Sequence, residues 1–190
     1  NILKKKGIWN EELENNFEFL KKSPSLFRKL FENLKIDELA SYYKNYSHFM
    51  YIGRGINYPT ALEGALKLKE ISYINATAYP AGELKHGPIA LLDPTFPVFA
   101  IAPQGYLYEK IKSNIEESKA RKARIIAVTN EGNEDLSKIV DDIIYVPKTP
   151  DDMYPLIMSP VIQMFAYLIA DMRGYDPDKP RNLAKSVTVE

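Results

Sequence analysis

The sequence contains no cysteine, and this absence removes several kinds of chemistry at once. Without thiols the chain has no disulfide bonds, no thiolate nucleophile and no cysteine-based metal site. Disulfide-free chains are typical of reducing compartments, so a cytoplasmic location is the simplest expectation. Histidine is also scarce, with only His48 and His86 present. His48 stands at the start of an apolar run with no polar neighbours of note, so we interpret it as structural.

An excess of charge of one sign is missing as well. Lys and Arg total 25, Asp and Glu total 25, and the formal net charge is zero. This balance gives no indication of a nucleic-acid or membrane-surface partner.

The most apolar stretch, residues 156–172, is interrupted by Ser159, Pro160 and Gln163 and is shorter than the roughly 20 residues that span a bilayer. It predicts a buried or dimer-facing helix.

The N-terminal end lacks the features of a secretion signal. Its first seven residues are mostly polar, and their apolar part is too short for a signal peptide. Because the chain begins with Asn1 rather than Met, we expect a fragment of a longer polypeptide or a processed product.

What the sequence does contain is an alternation of apolar runs and helical segments from residue 48 onward, which predicts a parallel sheet with crossover helices. The fold class is therefore α/β, with a five-stranded parallel sheet flanked by helices. The predicted strands are 48–52, 77–79, 96–102, 124–129 and 142–146. Amphipathic spacing before this region predicts three helices, with a break at Ser23-Pro24 and a third helix capped by Asp37. We divide the chain into a helical segment (1–46), an α/β domain (47–174) and a C-terminal tail (175–190).

One predicted helix, following the glycine turn at 53–55, carries titratable residues in a regular pattern. Glu63, Lys67 and Glu70 are spaced by four and three residues and so share one helical face. The residues predicted to pack on the sheet lie on another face: Leu62, Ala65, Leu66 and Tyr73. A ladder of this kind is usually a solvated row of ion pairs. If it is catalytic, the pattern leaves Glu63 and Glu70 as equal candidates for a proton-transferring carboxylate.

The loop at residues 78–88 combines glycine and proline with titratable side chains. It carries Glu83 and His86, and such loops beside helix termini are where α/β folds usually place function. Taken alone, His86 is interpreted as a structural loop residue.

Three stretches are recognisable together: residues 58–73, residues 79–88 and the tail 180–190. They closely resemble the isomerase part of the glutamine–fructose-6-phosphate aminotransferase family, whose fold is the flavodoxin-like sugar isomerase (SIS) domain. Shorter phrases, such as residues 83–88, recur in other SIS proteins and identify only that superfamily. The combination of signatures in the middle and at the end of the chain is what points to the aminotransferase family.

The resemblance implies roles for four residues. Glu70 matches the family's base, which moves a proton between neighbouring carbons of the sugar phosphate, and Lys67 would contact Glu70 and sugar oxygens. Lys67 alone is equally an ordinary ion-pair partner. His86 would assist sugar ring opening in the site of the neighbouring subunit, which makes a homodimer a requirement. Lys185 would form a Schiff base with the open-chain keto sugar. Apart from these four, Arg181 is interpreted as structural or as positioning the tail.

The resemblance also implies what lies outside this chain. Family members carry a glutaminase domain with a cysteine nucleophile and a first SIS lobe with a Ser/Thr-rich loop for the sugar phosphate, and neither feature occurs here. We expect the C-terminal isomerase lobe of an enzyme that makes glucosamine 6-phosphate and glutamate from fructose 6-phosphate and glutamine without metal or cofactor. The alternatives are a SIS deaminase or deglycase of amino-sugar phosphates, and a SIS module that binds a sugar phosphate without turnover.

Overall fold

The computed structural model describes residues 2–183. This part of the chain contains seven α-helices and five β-strands. The strands are β1 (His48–Gly53), β2 (Asn75–Pro80), β3 (Val98–Ile101), β4 (Ile125–Asn130) and β5 (Asp142–Val146). The helices are α1 (Ile2–Lys5), α2 (Glu11–Asn33), α3 (Asp37–Tyr43), α4 (Asn57–Ser72), α5 (Tyr108–Lys119), α6 (Glu134–Ser137) and α7 (Tyr154–Met172). Short 3₁₀ helices cover Ala81–His86, Pro88–Leu91 and Asp151–Met153.

All five strands lie in one parallel sheet, in the order β2-β1-β3-β4-β5. In the register of the sheet, Met50 of β1 pairs with Thr77 on one side and Val98 on the other. The central strands are buried almost throughout, as expected for a parallel sheet covered on both faces. The predicted α/β class and the five-stranded flavodoxin-like sheet are confirmed.

Helices cover both faces of this sheet and create two apolar cores. On one face α4 and α7 pack over the sheet, where Tyr51 stacks on Phe99 at 4.9 Å and Phe165 lies 5.2 Å from Phe99. On the other face α5 contributes Ile111 and Ile115 to a second core. The crossover connections thus hold α4, which carries the predicted carboxylates, in a fixed place on the sheet.

The N-terminal segment differs from its prediction at residues 23–24, because α2 continues through the expected break. Pro24 lacks the N–H that would bond to the carbonyl of Leu20. The hydroxyl of Ser23 donates to that carbonyl instead, at 2.9 Å. Burial of Phe19 and Leu30 in the core then holds both halves of the helix in line. The third helix also starts differently, since its N-cap is Ile36 rather than the predicted Asp37 and has no capping side chain.

Helix α4 faces the sheet with small residues rather than with the predicted leucines. Ala65 is buried as predicted, but Leu62 and Leu66 are 45% and 44% exposed, so the prediction is wrong for the two leucines. Gly64 lies so close to the sheet that an added Cβ would be 2.6 Å from the Tyr51 ring. Because the helix comes this close, the face that packs on the sheet is the one that carries Gly64 and its buried neighbours Ala61, Ala65 and Leu68. One position along a helix turns a side chain by about 100°, which takes the two leucines out of the core.

Helix α7 is a core helix. By length and composition alone, the segment Asp151–Met172 is apolar enough to cross a membrane. However, half of its most apolar part is buried inside the fold. Ile157, Val161 and Phe165 are fully buried in the core that α7 shares with α4 and the sheet. The apolar composition of this helix is therefore accounted for by packing.

Candidate active site

The last turn of α4 brings Lys67 and Glu70 together. Lys67 Nζ lies 2.7 Å from Glu70 Oε2, and the two side chains are about one-third exposed, at 34% and 27%. The contact follows from the three-residue spacing, which places both side chains on the same helical face. The hydrogen bond with Glu70 raises the pKa of the Lys67 ammonium, with burial acting in the opposite direction. A permanent cation therefore stands beside a reachable carboxylate.

Glu63 has a different environment, although the sequence pattern made it equal to Glu70. Its Oε1 accepts a hydrogen bond from Gln163 Nε2 of α7 at 2.9 Å. This contact ties the two helices together across their outer surface. Between the two carboxylates, Glu70 is thus the one paired with a cation, whereas Glu63 joins two elements of the fold.

The topology places Glu70 at the edge of the sheet where the strands begin. Helix α4 connects the parallel strands β1 and β2, so it must run antiparallel to them and end beside the start of β2. His86 closes the 3₁₀ helix that follows the other end of β2. The six residues of β2 span about 20 Å at a rise of 3.3 Å per residue. Within one chain, therefore, the structure does not bring His86 to Glu70.

His86 lies on an exposed turn. Its side chain is 62% exposed, and its Nδ1 is 3.0 Å from Glu83 Oε2 in the same turn. Gly87 ends this turn with a φ of 148°, a backbone conformation that glycine adopts without steric cost. Pro88 then starts the next 3₁₀ helix. The glycine and proline that drew attention to this loop in the sequence thus form the turn on which His86 is exposed.

The C-terminal tail returns to the Glu70 edge of the sheet. Helix α7 runs antiparallel to β5, and Arg173 at its end donates to the carbonyl of Lys44, just before β1. Further along, the backbone N–H of Arg181 donates to the hydroxyl of Tyr73 at 2.8 Å. Lys185, the predicted Schiff-base lysine, lies outside the described residues.

The usual ligand position of a flavodoxin-like sheet is nearly filled. Such folds bind ligands between the carboxyl ends of β1 and β3, where the strand order reverses. Here the crevice at that point has a volume of only about 20 Å³, which is room for one water molecule. Tyr106 and Leu107 cover Gly55 there, and a Cβ on that glycine would be 2.7 Å from Leu107 Cδ1. The crevice therefore has no room for a sugar phosphate, in keeping with the absence of a Ser/Thr-rich loop from the sequence.

A much larger cleft lies elsewhere, between α2, α3 and the edge strand β5, with a volume of about 790 Å³. Sequence reasoning did not anticipate it. At its base Arg124 donates to the Tyr43 hydroxyl at 2.9 Å and lies 3.3 Å from Asp142, and Tyr43 donates to Asp142 at 2.6 Å. These groups satisfy one another and join α3 to the sheet, so we assign them a structural role.

Metal ligands are not clustered in the part of the chain that the structure describes. Within residues 2–183, no group of three or more His, Asp or Glu side chains is close enough to hold a metal ion. The titratable groups that the fold does bring together are ion pairs and hydrogen-bonded carboxylates. The Lys67–Glu70 pair is the one that the sequence singled out.

Comparison with known families identifies the class of domain. The SIS domain family matches residues 42–172, and the chain belongs to this family. The match spans the sheet and the helices that position Lys67, Glu70 and His86.

Within this class, the chain is a SIS domain like the C-terminal isomerase lobe of glutamine–fructose-6-phosphate aminotransferase. The aminotransferase of Thermotoga maritima is 59% identical over the whole chain, and that of Aquifex aeolicus is 49% identical over 95% of it. The chain covers 31% of each of these proteins, so it spans about a third of the length of the curated relatives it matches. The resemblance seen in the sequence is confirmed.

Solved structures agree with this assignment. The C-terminal domain of the aminotransferase from Francisella tularensis superposes with a TM-score of 0.72 at 35% identity, covering 89% of this chain and 46% of that one. A glucosamine-6-phosphate deaminase from Thermotoga maritima superposes with a TM-score of 0.67 at 27% identity, covering 98% of this chain and 52% of that one. Both neighbours are about twice as long as the part that matches.

Proposed function

We propose that this chain supplies the second isomerase lobe of a glutamine–fructose-6-phosphate aminotransferase, which converts fructose 6-phosphate and glutamine to glucosamine 6-phosphate and glutamate. The observation that carries the proposal is the Lys67–Glu70 pair at the end of α4, in a chain 59% identical throughout its length to a protein of that name. The rest of the polypeptide would provide a first SIS lobe and a glutaminase domain. The reaction requires neither a metal nor a redox cofactor, and a cytoplasmic location suits a chain without cysteine.

In this proposal Glu70 is the base of the isomerisation. Its carboxylate removes a proton from C1 of the sugar and returns it to C2, so one group serves both halves of the transfer. Lys67 keeps its charge because the hydrogen bond to Glu70 raises its pKa. The ammonium therefore stays a hydrogen-bond donor and donates to sugar oxygens when the sugar is bound. Partial exposure of both side chains leaves them accessible to a substrate.

Lys185 supplies the covalent step. Its amine, in the unprotonated form, attacks the C2 carbonyl of the open-chain sugar and forms a Schiff base with loss of water. This role rests on the resemblance of the tail to the aminotransferase family.

His86 serves the site of a second subunit, where it assists opening of the sugar ring. Three observations support this arrangement. The topology separates His86 from Glu70 of its own chain by about the length of β2, roughly 20 Å. The His86 side chain is 62% exposed. Exposed apolar side chains on the outer surface of α4 and α7 offer a contact area for another lobe or subunit: Leu62, Leu66, Leu156 and Tyr167.

The test is complementation between two inactive variants of the full-length enzyme, Glu70→Gln and His86→Ala. A mixed dimer with a crossing loop has one site with both groups intact, so random mixing of equal amounts restores about a quarter of the parent activity. If His86 serves its own subunit, every site in the mixed dimer lacks one group. Absence of activity in verified mixed dimers therefore contradicts the proposal.

A matched control separates loss of the base from damage to the fold. Glu63→Gln changes the neighbouring carboxylate, which bonds to Gln163, and we expect it to retain activity. Glu70→Gln should lower isomerase turnover by about 10²–10⁴-fold, the usual contribution of a general base. Near-normal turnover of Glu70→Gln assigns the role to another residue.

A second candidate function is deamination of an amino-sugar phosphate. The superposition on a glucosamine-6-phosphate deaminase, which covers 98% of this chain, favours it. Release of ammonia from glucosamine 6-phosphate, with no glutamine-dependent synthesis by the same full-length protein, would select the deaminase.

A further inference from the structure

Two buried polar atoms belong to residues that line the crevice at the carboxyl ends of β1 and β3. They are Oδ1 of Asn57, the first residue of α4, and the hydroxyl of Tyr154, the first residue of α7. Neither atom has a hydrogen-bond partner among residues 2–183, and Tyr154 as a whole is only 1% exposed. Because folded proteins rarely leave buried polar atoms unpaired, each of the two indicates a partner of its own.

The two atoms have complementary needs. Oδ1 of Asn57 is an acceptor and requires a donor. Burial raises the pKa of the Tyr154 hydroxyl, so this group keeps its proton and is a donor at neutral pH. The backbone N–H of Thr149 opposes the rise, but an N–H only donates, so the Tyr154 proton still requires an acceptor. A small molecule that accepts from one group and donates to the other satisfies both.

The size of the crevice restricts this molecule to a very small one. Its volume is about 20 Å³, whereas a buried water molecule needs at least about 10–15 Å³. The loop that covers the crevice is held in place by Asp151, whose Oδ2 accepts from the backbone N–H of Tyr106 at 3.2 Å. There is room for one water molecule and for nothing larger.

The charges around the crevice favour a neutral molecule over an ion. Arg54 lines it, which disfavours a cation, and Asp151 lines it, which disfavours an anion. The start of α4 offers an anion no free donors. The backbone N–H groups of Asn57 and Tyr58 bond to carbonyls of the preceding turn at 3.1 Å, and Pro59 has no N–H.

We propose that one water molecule is bound in this crevice, where it accepts from the Tyr154 hydroxyl and donates to Oδ1 of Asn57. The Asp151 carboxylate, which also lines the crevice, offers an acceptor for the second hydrogen of the water. The water joins the first turn of α4 to the first turn of α7. It occupies the position that a ligand takes in other flavodoxin-like sheets, and it serves the fold and not the reaction.

A high-resolution crystal structure of the full-length protein tests the site directly. We expect one electron-density peak at about 2.7–3.2 Å from both Asn57 Oδ1 and the Tyr154 hydroxyl. Crystals grown with rubidium bromide in place of sodium chloride should show no anomalous signal at that peak. Absence of the peak overturns the proposal, and an anomalous signal there overturns it in favour of an ion.

Amide hydrogen exchange of the full-length protein tests the water bridge in solution. Tyr154→Phe removes the donor, so exchange in the first two turns of α4, residues 57–64, should become about fivefold faster, the equivalent of one net hydrogen bond. The matched control is Tyr51→Phe. The Tyr51 hydroxyl is likewise buried without a partner in the described part of the chain, but Tyr51 does not line the crevice.

The control should leave the exchange of residues 57–64 unchanged or make it slower, because it removes a buried hydroxyl that has no partner. The same result for Tyr154→Phe would show a dry crevice and overturn the proposal. Equally faster exchange in both variants would also overturn it, since the effect would then not depend on the crevice.

Discussion

Gly64→Ala tests whether the close approach of α4 to the sheet holds the candidate site in place. An added Cβ would lie 2.6 Å and 2.9 Å from two ring carbons of Tyr51 and 3.2 Å from Ile162 Cδ1, whereas carbon atoms pack at about 3.5–4.0 Å. The Tyr51 ring has little room to give way, since it is fully buried and stacked on Phe99. The helix must then move outward by close to an ångström.

The expected loss of stability follows from two opposing effects. Overpacking a core costs about 1–3 kcal/mol, and replacing a helical glycine by alanine returns about 1 kcal/mol. The strong overlap with a rigid ring places the cost at the upper end, so we expect a net loss of about 1–2 kcal/mol. For a domain of this size that corresponds to a fall in Tm of about 2–8 °C.

Thermal and urea unfolding followed by circular dichroism measure this loss. Leu66→Ala is the control, because Leu66 is exposed on the same helix and should change stability by no more than about 0.5 kcal/mol. In the double variant Tyr51→Leu/Gly64→Ala the overlap is gone, so the combined loss should be smaller than the sum of the single losses. A Gly64→Ala variant more stable than the parent would refute the packing argument.

Two further predictions concern hydrogen bonds that hold the fold. Asp141 accepts from the backbone of Ile125 and from Lys119, and although burial opposes them these contacts lower the pKa of the carboxyl below its ordinary 3.8. A lowered folded-state pKa stabilises the protein above the unfolded-state value. Asp141→Asn should therefore cost about 1–2 kcal/mol at pH 7, and the difference in urea unfolding should shrink as pH falls below about 4; a constant difference would contradict it. Ser23→Ala leaves the Leu20 carbonyl beside Pro24 without the donor that Ser23 supplies, so we expect a loss of about 1 kcal/mol in urea unfolding. The control Ser25→Ala removes an exposed bond to Lys22, and equal effects of both would refute the idea.

The local sequence determined those elements that can be recognised from a short apolar run or from the regular spacing of residues along a helix. The bounds of β5 coincide with the predicted strand 142–146, because a short run rich in isoleucine, valine and tyrosine indicates a strand from its own residues alone. The Lys67–Glu70 contact follows from a three-residue spacing on a helix. The family was also readable from three short stretches, since they carry side chains that a common fold and site require in a set order.

The tertiary structure decided the features that depend on distant residues. Whether Ser23-Pro24 ends a helix depended on a core that buries Phe19 and Leu30 on either side of it. Which face of α4 is buried depended on how close Gly64 comes to Tyr51 of a different element.

The arrangement of the site is likewise a tertiary result. His86 and Glu70 are close in the sequence. They nevertheless lie at opposite ends of β2, because α4 precedes this strand and the turn with His86 follows it. Tyr73 and Arg181 are 108 positions apart, and no local period relates them. They meet because α4 and α7 both run antiparallel to the strands and end at the same edge of the sheet.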